Sequence, residues 1–292
     1  MKTYPLKKLI VIAALTLSIN PFQSALSNDI SHNVRAGETQ SNTPENYFEI
    51  GYLRGGGDGP ARAPRTDLAQ FTHTNNGHYD DSGLLINGFY QWNNIFLEAY
   101  SESGHGLVIG YNAMNTEDWS LDFITTTSLG RFKFDSDGRG AGFNSTNLDD
   151  SLTIGARLTG FIDNNVFQFS INQDATGDHG GTTLTATLGK SWQWRNWSFH
   201  GLIGTEYATS RLNDYYLGVD KGSVSPIHSL YDAGASLNFS TEAGITYPLT
   251  EDIVFRMTAR AVKLDDSITN SPYFSKGRTS AISMRTSISY VF

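Results

Sequence analysis

The C-terminal stretch Ile282-Ser283-Met284-Arg285-Thr286-Ser287-Ile288-Ser289-Tyr290-Val291-Phe292 decides the fold. Ile282, Met284, Thr286, Ile288, Tyr290 and Phe292 share one parity; Ser283, Arg285, Ser287 and Ser289 share the other. A period of two puts successive side chains on opposite faces of an extended chain, which is the mark of a β-strand. Working upstream, the same alternation recurs. Ile253, Phe255, Met257, Ala259 and Ala261 share a face, as do Leu237, Phe239, Thr241, Ala243, Ile245 and Tyr247. Further segments run through Trp197 to Ile203, Leu184 to Leu188, Phe167 to Ile171, Leu152 to Leu158 and Trp119 to Phe123. Weaker ones lie at Leu107 to Tyr111, Ile95 to Ala99, Leu84 to Tyr90 and Phe48 to Tyr52. The count is about twelve, and most segments suit the ~9 to 11 residues with which a tilted strand crosses a bilayer.

The links between segments alternate in length. Short ones fall at Asn93-Asn94, Asn115 to Asp118, Asp163 to Asn165, Arg195-Asn196 and Pro248 to Asp252. Long polar ones fall at Arg54 to Gly83, Gly130 to Asp149, Asp174 to Gly181, Ser210 to Asp232 and Asp265 to Gly277; Ser101 to Gly106 is the exception. Outer-membrane barrels have short periplasmic turns and longer outer loops. All five Trp (Trp92, Trp119, Trp192, Trp194, Trp197) sit beside short links, as do Tyr247, Tyr290 and Phe292. Amphipathic rings gather at the membrane-water boundary, so these residues predict a periplasmic aromatic girdle. A secreted β-sandwich also alternates. It has no reason to collect every Trp at one end of its strands or to alternate its link lengths. The expected fold is all-β: a transmembrane, antiparallel, up-and-down barrel of about twelve strands over residues 47–292.

Residues 1–27 combine Lys2, Lys7 and Lys8 with the apolar run Leu9 to Leu15 and end in Ala25-Leu26-Ser27, the pattern of a cleaved secretory signal. A membrane anchor would need ~20 apolar residues, and Ser18, Asn20 and Pro21 break the run. Residues 28–46 are polar and read as a flexible periplasmic tail. The chain has 21 Lys+Arg against 29 Asp+Glu, net −8, and −11 once the signal's three lysines are gone. An acidic chain is a poor partner for a phosphate backbone, so no nucleic acid is expected. With no Cys there is no disulfide, thiolate metal site, Cys nucleophile or cysteine-borne lipid anchor.

If the apolar parity faces lipid, the lumen receives Glu49, Glu98, Asp122, Arg157, Glu206, Glu242, Arg256, Arg260 and Arg285. The sorting has a cause: Lys or Arg facing lipid at mid-bilayer costs about 2 to 4 kcal/mol. A turn at Pro248 to Glu251 sets Glu242 near Arg256, and a link centred on Ser271 brings Arg285 to the same level, which predicts a Glu242, Arg256, Arg285 cluster. Such charges can fill the lumen as a structural network or form a selective constriction.

Motifs for catalysis and cofactors are weak, and neither is expected. There is no Gly-x-Ser-x-Gly elbow and no His-x-x-x-His pair; His200 is the one His within a strand, on the lumen side. Asp135 to Arg139 resembles a calcium loop but lacks the closing Glu and reads as a solvated turn. Gly55 to Gly59 lacks the following Gly-Lys-Ser/Thr of a phosphate cradle and reads as a flexible outer loop. A barrel phospholipase or protease would assemble its site from scattered residues.

The run Asn213-Asp214-Tyr215-Tyr216-Leu217-Gly218-Val219, then Tyr231-Asp232-Ala233-Gly234-Ala235, Tyr247-Pro248-Leu249-Thr250, Leu264-Asp265-Asp266-Ser267, Asn270-Ser271-Pro272 and the ending Ser289 to Phe292 resemble the MipA/OmpV family of Gram-negative outer-membrane proteins. Strand layout extends the resemblance over Tyr47 to Phe292, although the first long loop, Gly55 to Arg65, departs from the family's usual stretch. The resemblance implies a scaffold for a lytic transglycosylase (a murein hydrolase) and a penicillin-binding protein that remodel peptidoglycan. Other family members imply a porin-like channel or an adhesin. In this sequence an adhesin would use the loops that hold Tyr215, Tyr216, Tyr273 and Phe274, and the alternative is that these aromatics pack into the barrel mouth. The terminal Phe292, with Tyr290, is similar to the signal read by the barrel-assembly machinery.

Overall fold

The computed structural model describes residues 46–58, 78–100, 107–116, 118–127, 151–221, 229–272 and 278–292. The expected signal, most of the tail, Asp135 to Arg139, Tyr273 and Phe274 lie outside them. Twelve strands follow in order: β1 (Tyr47–Asp58), β2 (His78–Trp92), β3 (Ile95–Tyr100), β4 (Leu107–Asn115), β5 (Trp119–Thr127) and β6 (Leu152–Ile162). They continue with β7 (Asn165–Asp174), β8 (Thr182–Trp194), β9 (Trp197–Ala208), β10 (Ser236–Pro248), β11 (Ile253–Lys263) and β12 (Ser280–Val291). Each pairs antiparallel with its sequence neighbours, and β12 closes on β1. Closure removes every sheet edge, the condition for strands to sit in lipid with all backbone groups bonded.

Two-residue turns join β2 to β3, β6 to β7 and β8 to β9. Their first residues, Asn93, Asp163 and Arg195, have φ of 54°, 52° and 54°, the left-handed region that tight hairpins use. Between β4 and β5 a bulge at Asn112/Met114 interrupts the register. Beside it Asn112, the cross-strand partner of Asp122, donates to Asp122 and Ser120 inside the barrel.

The faces sort as the alternation predicts. Phe48, Ile50, Tyr52, Phe123, Phe169, Phe239, Ile282 and Ile288 stand on the outside, whereas Glu49, Glu98, Asp122, Arg157, Glu206, Glu242 and Arg256 are buried inside. Arg54, Lys190 and Lys263 also lie on the outer face, on stems long enough to carry the charge toward water.

Four expectations change. His200 is not the one His within a strand, because His78 opens β2 and pairs with Asp58. Gly55 to Asp58 is strand rather than loop, pairing with both Met284–Ile282 and Asp81–His78. A Cβ at Gly55 would strike the Arg285 side chain and the Met284 carbonyl, so glycine there admits Arg285 to the lumen instead of loosening the chain. The links after β9 and β11 also contain helices, α1 (Ser210–Leu217) and α2 (Asp266–Thr269).

The seam is pinned at its end. The Phe292 amide donates to the Phe48 carbonyl at 2.9 Å, and its ring lies 4.6 Å from Tyr290 and 5.9 Å from Phe48. Deleting Phe292 is expected to lower the amount of heat-modifiable, folded protein in the outer membrane. An unchanged folded band would contradict a role for this residue in assembly.

Candidate functional site

The structure places the predicted girdle residues at the end with the short turns. Trp92, Trp119, Trp192, Trp194 and Tyr290 are exposed there, and Trp197 packs on Tyr247 at 4.6 Å. The Trp119 ring covers Gly160 on the neighbouring strand, where a side chain would collide with it.

Inside, the lumen charges pair in a pattern that differs from the predicted cluster. Leu249 and Thr250 both donate their amides to the Ile253 carbonyl, while Thr250 Oγ1 accepts from the Ile253 amide. Those bonds move the turn beyond Pro248, which pairs with Val254. Glu242 therefore stands opposite Arg260, Arg256 opposite Thr246, and Arg285 opposite Thr258. The Glu242, Arg256, Arg285 cluster does not form.

Three networks form instead. Arg256 reaches past β12 to Glu49 on β1, which also accepts from Ser289 and from Asn87 at 2.9 Å. Arg157 grips Glu98 with two bonds, 2.8 and 3.0 Å, and reaches Asp122 at 3.3 Å, with its guanidinium over the Phe96 ring. Glu242 meets His200 at 3.3 Å and Arg260 at 3.9 Å. The His200 ring rests against Gly244, which leaves it room. Glu206 accepts from Asn238 at 3.4 Å.

Two apolar clusters sit between these networks near the short-turn end: Phe89, Phe96, Val108 and Ile124, and Phe161, Val166 and Leu202. Alternation missed them because an inward Phe and an outward Phe look alike in a sequence. Phe96 lies over Gly110, its cross-strand partner, a pairing of aromatic ring and glycine that does carry a signal once register is known.

The other end carries a cap. Ala208, Leu212, Tyr216, Leu217, Ala233, Val262, Leu264 and Ile268 form a buried cluster joined by Tyr215 and Tyr231. Polar pins hold it: Asn213 donates to the Gly234 carbonyl, Ser271 to the Leu217 carbonyl, and Tyr231 Oη to the Ser267 carbonyl, at 2.7, 2.8 and 2.6 Å. The run Asn213 to Val219 and the segments around Tyr231 and Asp265 are thus parts of one cap. Tyr215 and Tyr216 pack within it and against His179 rather than offering a free adhesive face.

Asp265 is the cap's main polar anchor. Burial pushes its carboxyl up, but the amides of Ser267 and Leu237 and the Ser267 hydroxyl outweigh that and hold it below the ordinary carboxylate range. A carboxylate with a lowered folded pKa adds stability above its unfolded value, about 3.9, and loses it as pH falls through the folded value. Exchange protection of the Leu237 and Ser267 amides is therefore expected to be constant from neutral pH to about 5 and to fall in stronger acid. Asp265→Asn should lose that protection at neutral pH.

The loop after β7 brings Ser151, His179 and Asp174 together. His179 Nδ1 accepts from the Gly181 amide at 2.9 Å, so its proton sits on Nε2 and points at Ser151 Oγ, 3.3 Å away. An imidazole so oriented has no lone pair for the Ser151 proton. Asp174 is occupied by the amides of Thr176, Gly177, His179 and Gly180. The trio folds a loop and lacks the geometry of a nucleophile and base.

A family model described as MltA-interacting protein MipA matches residues 69–292. No curated protein matches the chain. Similar solved structures include the outer membrane channel DcaP of Acinetobacter baumannii, at 7% identity and a TM-score of 0.37 over 85% of this chain and 96% of that one. A Pseudomonas aeruginosa FadL homologue gives 10% and 0.40 over 92% and 95%. OmpT, an outer membrane protein of Vibrio cholerae, gives 7% and 0.36 over 85% and 97%.

Proposed function

The chain belongs to the family of MltA-interacting proteins, it is a Gram-negative outer-membrane β-barrel, and we propose that it works as a scaffold that docks peptidoglycan-remodelling enzymes at its periplasmic rim. A lytic transglycosylase is the first partner, by the family's name, and a penicillin-binding protein the second. The observation that supports this reading over a channel is the state of the lumen charges. Glu49 with Arg256, and Arg157 with Glu98 and Asp122, are all buried and ion-paired in two separate groups. A conducting pore would hold such groups toward water and leave them to meet solutes. With the lumen committed to structure, the free chemistry lies on the turns and on the tail at residues 28–46. The turn after β10 is the widest described one on that rim and presents Leu249, half exposed, beside Glu251 and Asp252.

Co-purification from solubilised outer membranes tests the reading. The full chain is expected to retain the cell's lytic transglycosylase, and Leu249→Glu or removal of residues 28–46 is expected to reduce the amount retained severalfold with the barrel still heat-modifiable. Equal retention by both variants and by an unrelated barrel would overturn it.

A further inference from the structure

At the short-turn end, β8 runs past the strand that precedes it. Its last Cα partner on β7 is reached at Lys190, opposite Asn165, and the Ser191 amide makes one more bond, to the Asn164 carbonyl at 3.4 Å. Beyond that level residues 192–194 pair with β9 alone. Three residues of strand span about 10 Å, so the β8–β9 hairpin projects past the β6–β7 turn by that length along the strand.

The outer face of this hairpin is ordered from apolar to charged to aromatic. Leu184, Leu188, Lys190, Trp192 and Trp194 share the outward parity of β8. Trp192 is held by stacking on Phe199, with ring centroids 6.1 Å apart and planes 9° apart. Trp194 is 60% exposed, and the guanidinium of Arg195, the turn residue that follows it, lies over its ring at 5.2 Å. Arg195 is thereby drawn to the same face as Lys190. Gly201, the Cα partner of Lys190 on β9, adds no side chain beside the ammonium.

The charge here is unlike that of the rest of the rim. Among the described residues outside the lumen at the short-turn end, Lys190 and Arg195 are the only Lys or Arg. The other turns carry Asp118, Asp163, Glu251 and Asp252. Both cations are exposed, and neither is ion-paired with a described residue. Indole rings at a membrane boundary sit at headgroup level, and Lys and Arg beside them attract anionic lipid. Ammonium and guanidinium groups donate to phosphate oxygens in charge-assisted bonds.

We propose that Lys190 and Arg195, with Trp192 and Trp194 between them, form a binding site for an anionic phospholipid in the leaflet at this rim. Its phosphate is held by the two cations, and its acyl chains lie along the apolar surface that begins at Leu188. Both cations stand on the lipid side of the barrel, directly below leucines, which favours a lipid over a glycan from the periplasm. The site rests on the barrel and its girdle and is independent of the scaffold reading.

The test is native mass spectrometry of the refolded full chain in detergent, with phosphatidylglycerol or phosphatidylcholine of the same acyl chains added in equal amounts. The wild type is expected to retain severalfold more phosphatidylglycerol than phosphatidylcholine. Lys190→Gln with Arg195→Gln is expected to lower phosphatidylglycerol to the phosphatidylcholine level with the barrel still heat-modifiable, whereas Lys190→Arg should keep the preference. Arg54→Gln with Lys263→Gln, which removes outward cations away from this rim, should leave it unchanged. An excess of inorganic phosphate should not displace the lipid, because it offers nothing to the apolar surface. Equal retention of the two lipids by the wild type would overturn the proposal, as would an undiminished preference in the Lys190, Arg195 double variant. An equal loss in the Arg54, Lys263 double variant, or displacement by phosphate, would overturn it too. So would a wild type that shows no lipid preference but pellets with purified murein sacculi through Lys190 and Arg195, which would make this a glycan surface.

Discussion

Replacing Arg157 by Met is expected to remove most of the folded barrel. The guanidinium is shared by Glu98 and Asp122, with all three side chains almost wholly enclosed. Met keeps the stem's volume and its contact with Phe96 but leaves two carboxylates in a site that water hardly reaches. Breaking a buried ion pair from one side costs about 3–5 kcal/mol, because the surviving charge is uncompensated. Here two charges survive, so the loss lies at the upper end. The folded band on unheated gels measures it, against urea midpoint in detergent for whatever folds. Neutralising the partners as well, in Arg157→Met with Glu98→Gln and Asp122→Asn, should recover much of the loss, since replacing an entire buried ionic group is often close to neutral. If the single variant folds as well as the wild type, the network is not buried as described.

Gly110→Ala is the second large effect, and a less obvious one. A single added methyl would enter the Phe96 ring, which is held by Phe89 at 5.8 Å on one side and lies under Arg157 at 5.4 Å. The ring has nowhere to go without breaking one of those contacts. Overfilling a packed interior typically costs about 1–3 kcal/mol. This position also supports the Arg157 network, so the loss should exceed that of a comparable change on the lipid face, such as Ala259→Gly. The double variant Gly110→Ala with Phe96→Leu is expected to recover most of it. Urea midpoints of the four proteins form a cycle, and strict additivity would contradict the described contact.

The barrel itself was legible in the sequence because lipid imposes a rule that leaves little freedom. Every strand must alternate, every charge at depth must turn inward, and every edge must close. The twelve segments, the sides on which Glu49 and Arg256 lie and the places of the five Trp all follow from it. Register was not legible. A shift of the β10–β11 turn past Pro248, made by backbone bonds at Ile253, moved Arg256 from Glu242 to Glu49. No side-chain pattern records such a shift. The cap was hidden for another reason. Its α1 is an eight-residue helix inside a polar link, too short for periodicity to speak, and its buried face is completed by residues some fifty positions later, Leu264 and Ile268. The motifs that carry the family resemblance nevertheless lie largely in this cap. Asp174 was missed as well, although Asp-x-Thr-Gly is a turn-forming order, because the donors that surround it are backbone amides, which every sequence has.

An interior that is ion-paired and packed at the short-turn end, and capped at the other, supports the proposed docking at the rim over conduction through the barrel. Planar-bilayer recording of the purified, refolded full chain tests that most directly, with Arg256→Glu as the comparison. The wild type is expected to be electrically silent while heat-modifiable and folded, and Arg256→Glu, which sets two acids together against Glu49, to fold poorly. Steady wild-type openings whose ion selectivity reverses in a well-folded Arg256→Glu would make the lumen a conduction path and contradict the account.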